Sequence, residues 1–147
     1  SSAKAQDIAA KLEGDFVIIA ADTIVAKDGK IFGKPANEEE ACKTLGEIQG
    51  NRHEVYTGVT LISVNQGEGL IDTFHVRTIV DMMPMTAEQI SAYVQTGEPM
   101  DKAGAYAIQG KGAAYVRDIA GDYSNVVGLP LSMVMAHLQS MGVNLYF

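Results

Sequence analysis

The sequence predicts an α/β domain with a mixed central sheet flanked by helices, and three observations carry that expectation. Phe16-Val17-Ile18-Ile19-Ala20-Ala21 is an unbroken apolar run between Asp15 and Asp22, the pattern of a strand covered on both faces, as at the centre of a parallel sheet. The stretches His53 to Val64 and Leu70 to Val80 are rich in Val, Thr, Ile and aromatic residues and flank the turn-forming Asn65-Gln66-Gly67-Glu68-Gly69, which reads as two antiparallel strands. Apolar residues at helical spacing, bracketed by capping residues and glycines, surround them.

In chain order, Ala5, Ile8, Ala9 and Leu12 mark a short first helix, with Ser2 as N-cap and Gly14 just past its end. Lys4 lies one turn before Ile8 and two before Leu12, so it shares their inward stripe, as a basic stem at the edge of the core. After the apolar run, Thr23 to Ala26 and Lys30 to Gly33 flank Lys27-Asp28-Gly29, where Asp-Gly is the chemistry of a tight hairpin. That arm delivers Gly33-Lys34-Pro35, in which the proline holds Lys34 extended. Asn37 with Glu40 opens a second helix that turns Ala41, Leu45 and Ile48 inward and stops at Gly50. Glu38, Glu39 and Glu40 suit the positive end of that helix better than a metal, because consecutive helical side chains point apart. Thr86 with Gln89 opens a third helix, with Ile90 and Val94 inward. Ala113 to Ile119 reads as a strand, and Pro130 suits the first turn of a last helix carrying Leu131, Val134, Met135 and Leu138.

The chain has 147 residues, one cysteine and no internal repeat or linker, so a single domain over 1–147 is expected, large enough to form a core without disulfides or structural metal. Asn144-Leu145-Tyr146-Phe147 resembles the start of an engineered protease-cleavage linker and is set aside. A formal charge of -7 has the wrong sign for holding nucleic acid by phosphate neutralisation, so an anionic ligand must be small and met by local cations. No apolar run approaches the roughly 20 residues of a membrane span, and no signal-peptide core is evident, which points to the cytoplasm.

Candidate residues follow from placement. Asp22 ends the apolar strand, where α/β sheets gather ligands, although a loop-capping aspartate would look the same. The segment from Glu98 to Gly112 mixes glycines with Asp101, Lys102 and Gln109 and lacks either periodicity, the signature of a binding loop. Asp101, Lys102 and Gln109 supply three different hydrogen-bonding characters. Cys42 has no histidine at a telling distance, and Arg52 and His53 are assigned to structure.

Ala21-Asp22-Thr23, Gly33-Lys34-Pro35, His53-Glu54-Val55-Tyr56-Thr57-Gly58-Val59, Glu98-Pro99-Met100-Asp101-Lys102-Ala103-Gly104-Ala105-Tyr106, Ile108-Gln109-Gly110 and Gly121-Asp122-Tyr123-Ser124-Asn125-Val126-Val127-Gly128-Leu129-Pro130 follow one another in this order. Together they closely resemble the Maf-type nucleoside triphosphate pyrophosphatases, from about Lys4 to the final helix. The resemblance implies a fold related to the inosine triphosphate pyrophosphatases and hydrolysis of a nucleoside triphosphate to monophosphate and pyrophosphate. It also implies a divalent metal cation, magnesium or manganese, and a homodimer. Ala21-Asp22-Thr23 and Tyr106-Ala107-Ile108-Gln109-Gly110 look like the branch that acts on dTTP and UTP in nucleotide-pool house-cleaning. By motif, Asp22 is the proton acceptor and metal contact, Lys34 and Lys4 are phosphate-contacting cations, and Thr23 and Gln109 determine base choice. The family opens with a strand and a Ser-x-Ser-x-Arg-Arg loop that do not precede Lys4 here, so an N-terminally incomplete domain is expected, inactive as it stands. Two alternatives stay open: a nucleotide-binding or regulatory Maf-like protein without catalysis in this form, separated by pyrophosphate release, and a purine-directed pyrophosphatase, against which Gln109 counts.

Overall fold

The computed structural model describes residues 1–145; Tyr146 and Phe147 of the linker-like end lie outside the described residues. In order come α1 (Ser2–Ala9), β1 (Phe16–Lys27), β2 (Lys30–Phe32), α2 (Glu38–Ile48), β3 (Arg52–Asn65), β4 (Glu68–Met82), α3 (Ala87–Gln95), β5 (Val116–Ala120), α4 (Tyr123–Val127) and α5 (Leu131–Ser140). Short 3-10 segments at Glu98–Asp101, Ala103–Ala105 and Lys111–Tyr115 bridge α3 and β5. The sheet order is β2-β1-β3-β4-β5.

The α/β sheet flanked by helices is as expected, but every strand pair among the described residues is antiparallel, including those of β1, whose apolar run pointed to a parallel setting. Continuous apolarity does not encode strand direction, and this strand is not equally covered on its two faces. Ile18 is 8% exposed, whereas Val17 and Ile19 are 43% and 45% exposed. The tight turns are confirmed: Asp28-Gly29 takes φ of 52° and 77°, and Gln66-Gly67 takes 52° and 82°, the doubly left-handed geometry that matches hairpin twist. The latter turn shortens the expected five-residue loop to two and lets β3 and β4 pair from Arg52↔Asp81 to Asn65↔Glu68.

Alternation along these strands divides the core. Val25 and Val55 pair across β1 and β3 and pack with Leu45 and Ile48 of α2 and Ile90 and Val94 of α3. On the same face, Val59 and Leu61 meet Val134 and Leu138 of α5. On the opposite face Ile18 and Ile62 meet Ala5 of α1.

That last contact corrects the reading of the first helix. Ser1, not Ser2, is its N-cap, it ends at Ala9 well before Gly14, and Ala5 is its one buried residue. Seating a short helix on small Ala5 places Lys4 about 100° away around the axis, so the Lys4, Ile8 and Leu12 stripe faces outward, with Ile8 and Leu12 exposed. Two helix starts behave as read: Asn37 accepts from the Glu40 amide at 2.8 Å, and Thr86 and Gln89 form a full capping box. The strand expected from Ala113 begins only at Val116, because Lys111–Tyr115 is a 3-10 turn. Pro130 is the N-cap of α5 rather than its first-turn residue, and α4 was not anticipated.

Candidate active site

The sheet leaves a stretch of the β1 edge open, and the site forms there. β2 pairs with β1 only from Val25 to Lys27, so the edge beside Asp22 and Thr23 has no strand on that side among the described residues. A cleft of about 290 Å³ occupies this position, lined by Asp22, Thr23, Lys34, Asp101, Lys102 and Gln109 among others. Asp22, Thr23, Lys34 and Gln109, which come from three separate parts of the sequence, thus share one cavity. Lys4 does not line it but reaches its rim, where Lys4 Nζ donates to Asp22 Oδ1 at 2.9 Å.

Successive side chains of a strand point to opposite faces, so Asp22 and Thr23 leave the cleft in different directions. Asp22 lies on the α1 side, against Lys4. The Lys4 ammonium favours the ionised form of this carboxyl.

Thr23 lies on the other side, with its Oγ1 2.9 Å from Thr57 Oγ1. Thr57 gives its only hydroxyl proton to the Asn125 carbonyl at 3.1 Å, so Thr23 must be the donor to Thr57. Towards a ligand Thr23 therefore has only acceptor capacity, which suits an N–H on a base edge. Asn125 is fully buried, and its Nδ2 donates to Val55 O at 3.2 Å, Val76 O at 3.1 Å and Thr78 Oγ1 at 3.0 Å. This side-chain amide ties α4 to β3 and β4, and the Asn125 backbone carbonyl, through Thr57, sets the Thr23 hydroxyl.

The third wall is the loop after α3. Gly104 N donates to Gly33 O at 3.2 Å, pinning the Lys34 arm to this loop while the Lys34 side chain stays exposed. Gly104 has φ of 74°, and a Cβ there would sit 2.7 Å from Val25 Cγ2, so only glycine lets the loop lie this close to β1. Asp101 carries Lys102 at 2.8 Å, and the nearby cations hold its carboxyl below the usual range, Lys102 first and Lys34 more weakly.

Sequence reasoning assigned His53 to structure without revealing its partner. His53, 2% exposed, meets Tyr106 at 2.7 Å through Nε2, and burial, helped by the charge of Lys27, pushes its pKa down to about 4. An unfolded histidine takes a proton near 6.5, so between that pH and about 4 the unfolded chain binds more protons and stability falls as pH falls. In denaturant unfolding from pH 7 to 4 the His53 contribution is expected to make the loss of stability steeper in the parent than in His53→Gln by about 1 kcal/mol per pH unit. Equal slopes in the two proteins would remove His53 as the cause.

Among the described residues no group of three His, Cys, Asp or Glu side chains is arranged to hold a metal, and no helix is long and apolar enough to cross a membrane.

Comparison with known proteins gives a consistent pattern. The family model described as "Maf-like protein" matches residues 1–141. A protein named dTTP/UTP pyrophosphatase from Halalkalibacterium halodurans is 50% identical over 144 residues, covering 98% of this chain and 73% of the relative. Relatives of the same name from Alkaliphilus metalliredigens and Carboxydothermus hydrogenoformans are 51% identical over 128 residues and 49% over 142. These cover 87% and 97% of this chain, which spans 65% and 75% of those two relatives.

Proposed function

The chain belongs to the Maf family, and from that premise we propose that it serves a nucleoside triphosphate pyrophosphatase that cleaves dTTP and UTP to the monophosphate and pyrophosphate. The observation that carries this reading is the single cleft that joins Asp22, Thr23, Lys34 and Gln109. Hydrolysis at the α-phosphorus requires a water stripped of a proton and a leaving pyrophosphate whose charge is neutralised. Asp22, ionised beside Lys4, takes the proton. Lys34, with no ion-pair partner among the described residues, offsets phosphate charge, and Lys4 adds a second cation at the rim.

Base choice falls to the opposite part of the cleft. Thr23 accepts and Gln109 both donates and accepts, which fits the adjacent N–H and carbonyl of uracil and thymine. Oxygen donors in this number suit magnesium or manganese carried in by the triphosphate, since such ions are commonly held by one or two carboxylates together with substrate phosphates. Asp22 would hold the ion, which when bound supplies neutralisation of phosphate oxygens.

Phosphorus NMR of the full-length protein with dTTP tests the reaction. The expected products are dTMP and pyrophosphate, with turnover abolished by chelation. Stepwise release of orthophosphate from the γ end, or turnover that survives exhaustive chelation, would refute it.

A further inference from the structure

Gln109 is exposed at the tip of a loop, and nothing in its own side chain fixes where it sits. A glutamine amide that can turn over serves cytosine as well as uracil, because donor and acceptor simply exchange places. Choosing between these bases therefore requires that the amide be held, and the structure shows what holds its backbone. The 3-10 segment Lys111–Tyr115 begins two residues after Gln109, and its N-cap is Gly110, which has no side chain with which to satisfy the first free amides. Glu98 does so from a distance. Its Oε1 accepts from the Lys111 amide at 2.9 Å and its Oε2 from the Gly112 amide at 3.0 Å.

The carboxylate is itself fixed. Tyr93 of α3 donates to Glu98 Oε2 at 2.5 Å, and the same phenol oxygen accepts from the Ala107 amide at 3.0 Å. Gln109 thus lies between two anchored points, Ala107 before it and Lys111 with Gly112 after it. The space taken by the clamp is reserved for it: a Cβ at Gly110 would stand 1.9 Å from Glu98 Oε1.

We propose that Glu98 is a positioning residue for base selection, acting through Gln109 by capping the segment that follows it. The inference rests on the pyrimidine reading of the cleft and names a determinant outside the residues that touch the base. Glu98→Gln keeps the size of the side chain but puts an NH2 donor in place of one oxygen, so it cannot offer a separate oxygen to each amide and sets a donor against one of them. Glu98→Asp keeps the charge and shortens the reach by one methylene.

The experiment measures kcat/KM of the full-length protein for dTTP and dCTP in four forms: parent, Glu98→Gln, Gln109→Ala and the double variant. Glu98→Gln is expected to lower the dTTP to dCTP preference by about tenfold, the scale on which a misplaced hydrogen-bonding group loses discrimination. In the Gln109→Ala background, where the preference has already collapsed, it should lower the ratio no further. A fold-wide weakening would instead depress both substrates equally in both backgrounds, and that result overturns the proposal, as does a ratio within about twofold of the parent. If Glu98→Gln does not fold, Glu98→Asp replaces it; failure of both to fold makes Glu98 a folding residue and also overturns the proposal. A parent that neither cleaves nor binds dTTP fails the functional reading itself, a result distinct from a selective parent whose Glu98 variants remain selective.

Discussion

Asp22→Asn in the full-length protein is expected to fold as the parent does and to lose two to four orders of magnitude in turnover of dTTP, the usual contribution of a positioned general base. Folding should survive because the Asn oxygen can still accept from Lys4, and the ion pair being lost is half exposed and weakly stabilising. Turnover should not, because an amide cannot take a proton from water at neutral pH. Steady-state kinetics with a melting curve on the same sample separate the two effects. If turnover stayed within about threefold of the parent, the general base would lie elsewhere.

Asn125→Asp is expected to have the largest effect on stability. The Asn125 NH2 group faces two backbone carbonyls and a hydroxyl in a fully buried site, and a carboxylate there would set acceptor against acceptor. Protonating the new side chain restores one donor at most, leaving a carbonyl without its partner. The expected loss is about 3 kcal/mol, a substantial part of the stability of a domain this size. Urea unfolding measures it, with Asn125→Ala as the milder comparison because it removes donors without adding a charge. An Asn125→Asp protein within about 1 kcal/mol of the parent would show that water reaches the site and that α4 is not anchored by this amide.

The patterns that mark Asp22, Lys34 and Gln109 as candidates were legible because they are local, the end of an apolar run, a stiffened Gly-Lys-Pro and a glycine-rich loop, but the strand does not end at Asp22 as expected and continues to Lys27. Helices announced by caps, such as those at Asn37 and Thr86, were legible for the same reason. The supports were not, because they are long-range. His53 and Tyr106 are 53 residues apart, and Asn125 reaches partners 47 to 70 residues earlier. A five-residue helix such as α4 is too short to display a period; its only signals are Asp122, whose Oδ1 accepts from Ser124 N at 2.8 Å, and Gly128 at its end. The outward turn of Lys4 was hidden because spacing groups residues on a helix face without saying which face meets the sheet.

The opposite orientations of Asp22 and Thr23 make this chemistry unusually sensitive to chain length. Pairing of β1 with β3 runs unbroken from Phe16↔Val64 to Ala26↔Glu54, with apolar anchors at Ile18 and Val25 on either side of the two residues. Deleting one codon between those anchors leaves composition, charge and strand propensity nearly unchanged, yet it turns whichever flank yields inside out. If the upstream flank holds, the hydroxyl is delivered to Lys4 and the neighbouring isoleucine to the Thr57 network. Point substitutions along β1 can be absorbed one at a time, whereas a frame-preserving insertion or deletion there moves the acid and the hydroxyl together, so the spacing between Ile18 and Val25 is itself a heritable part of the site.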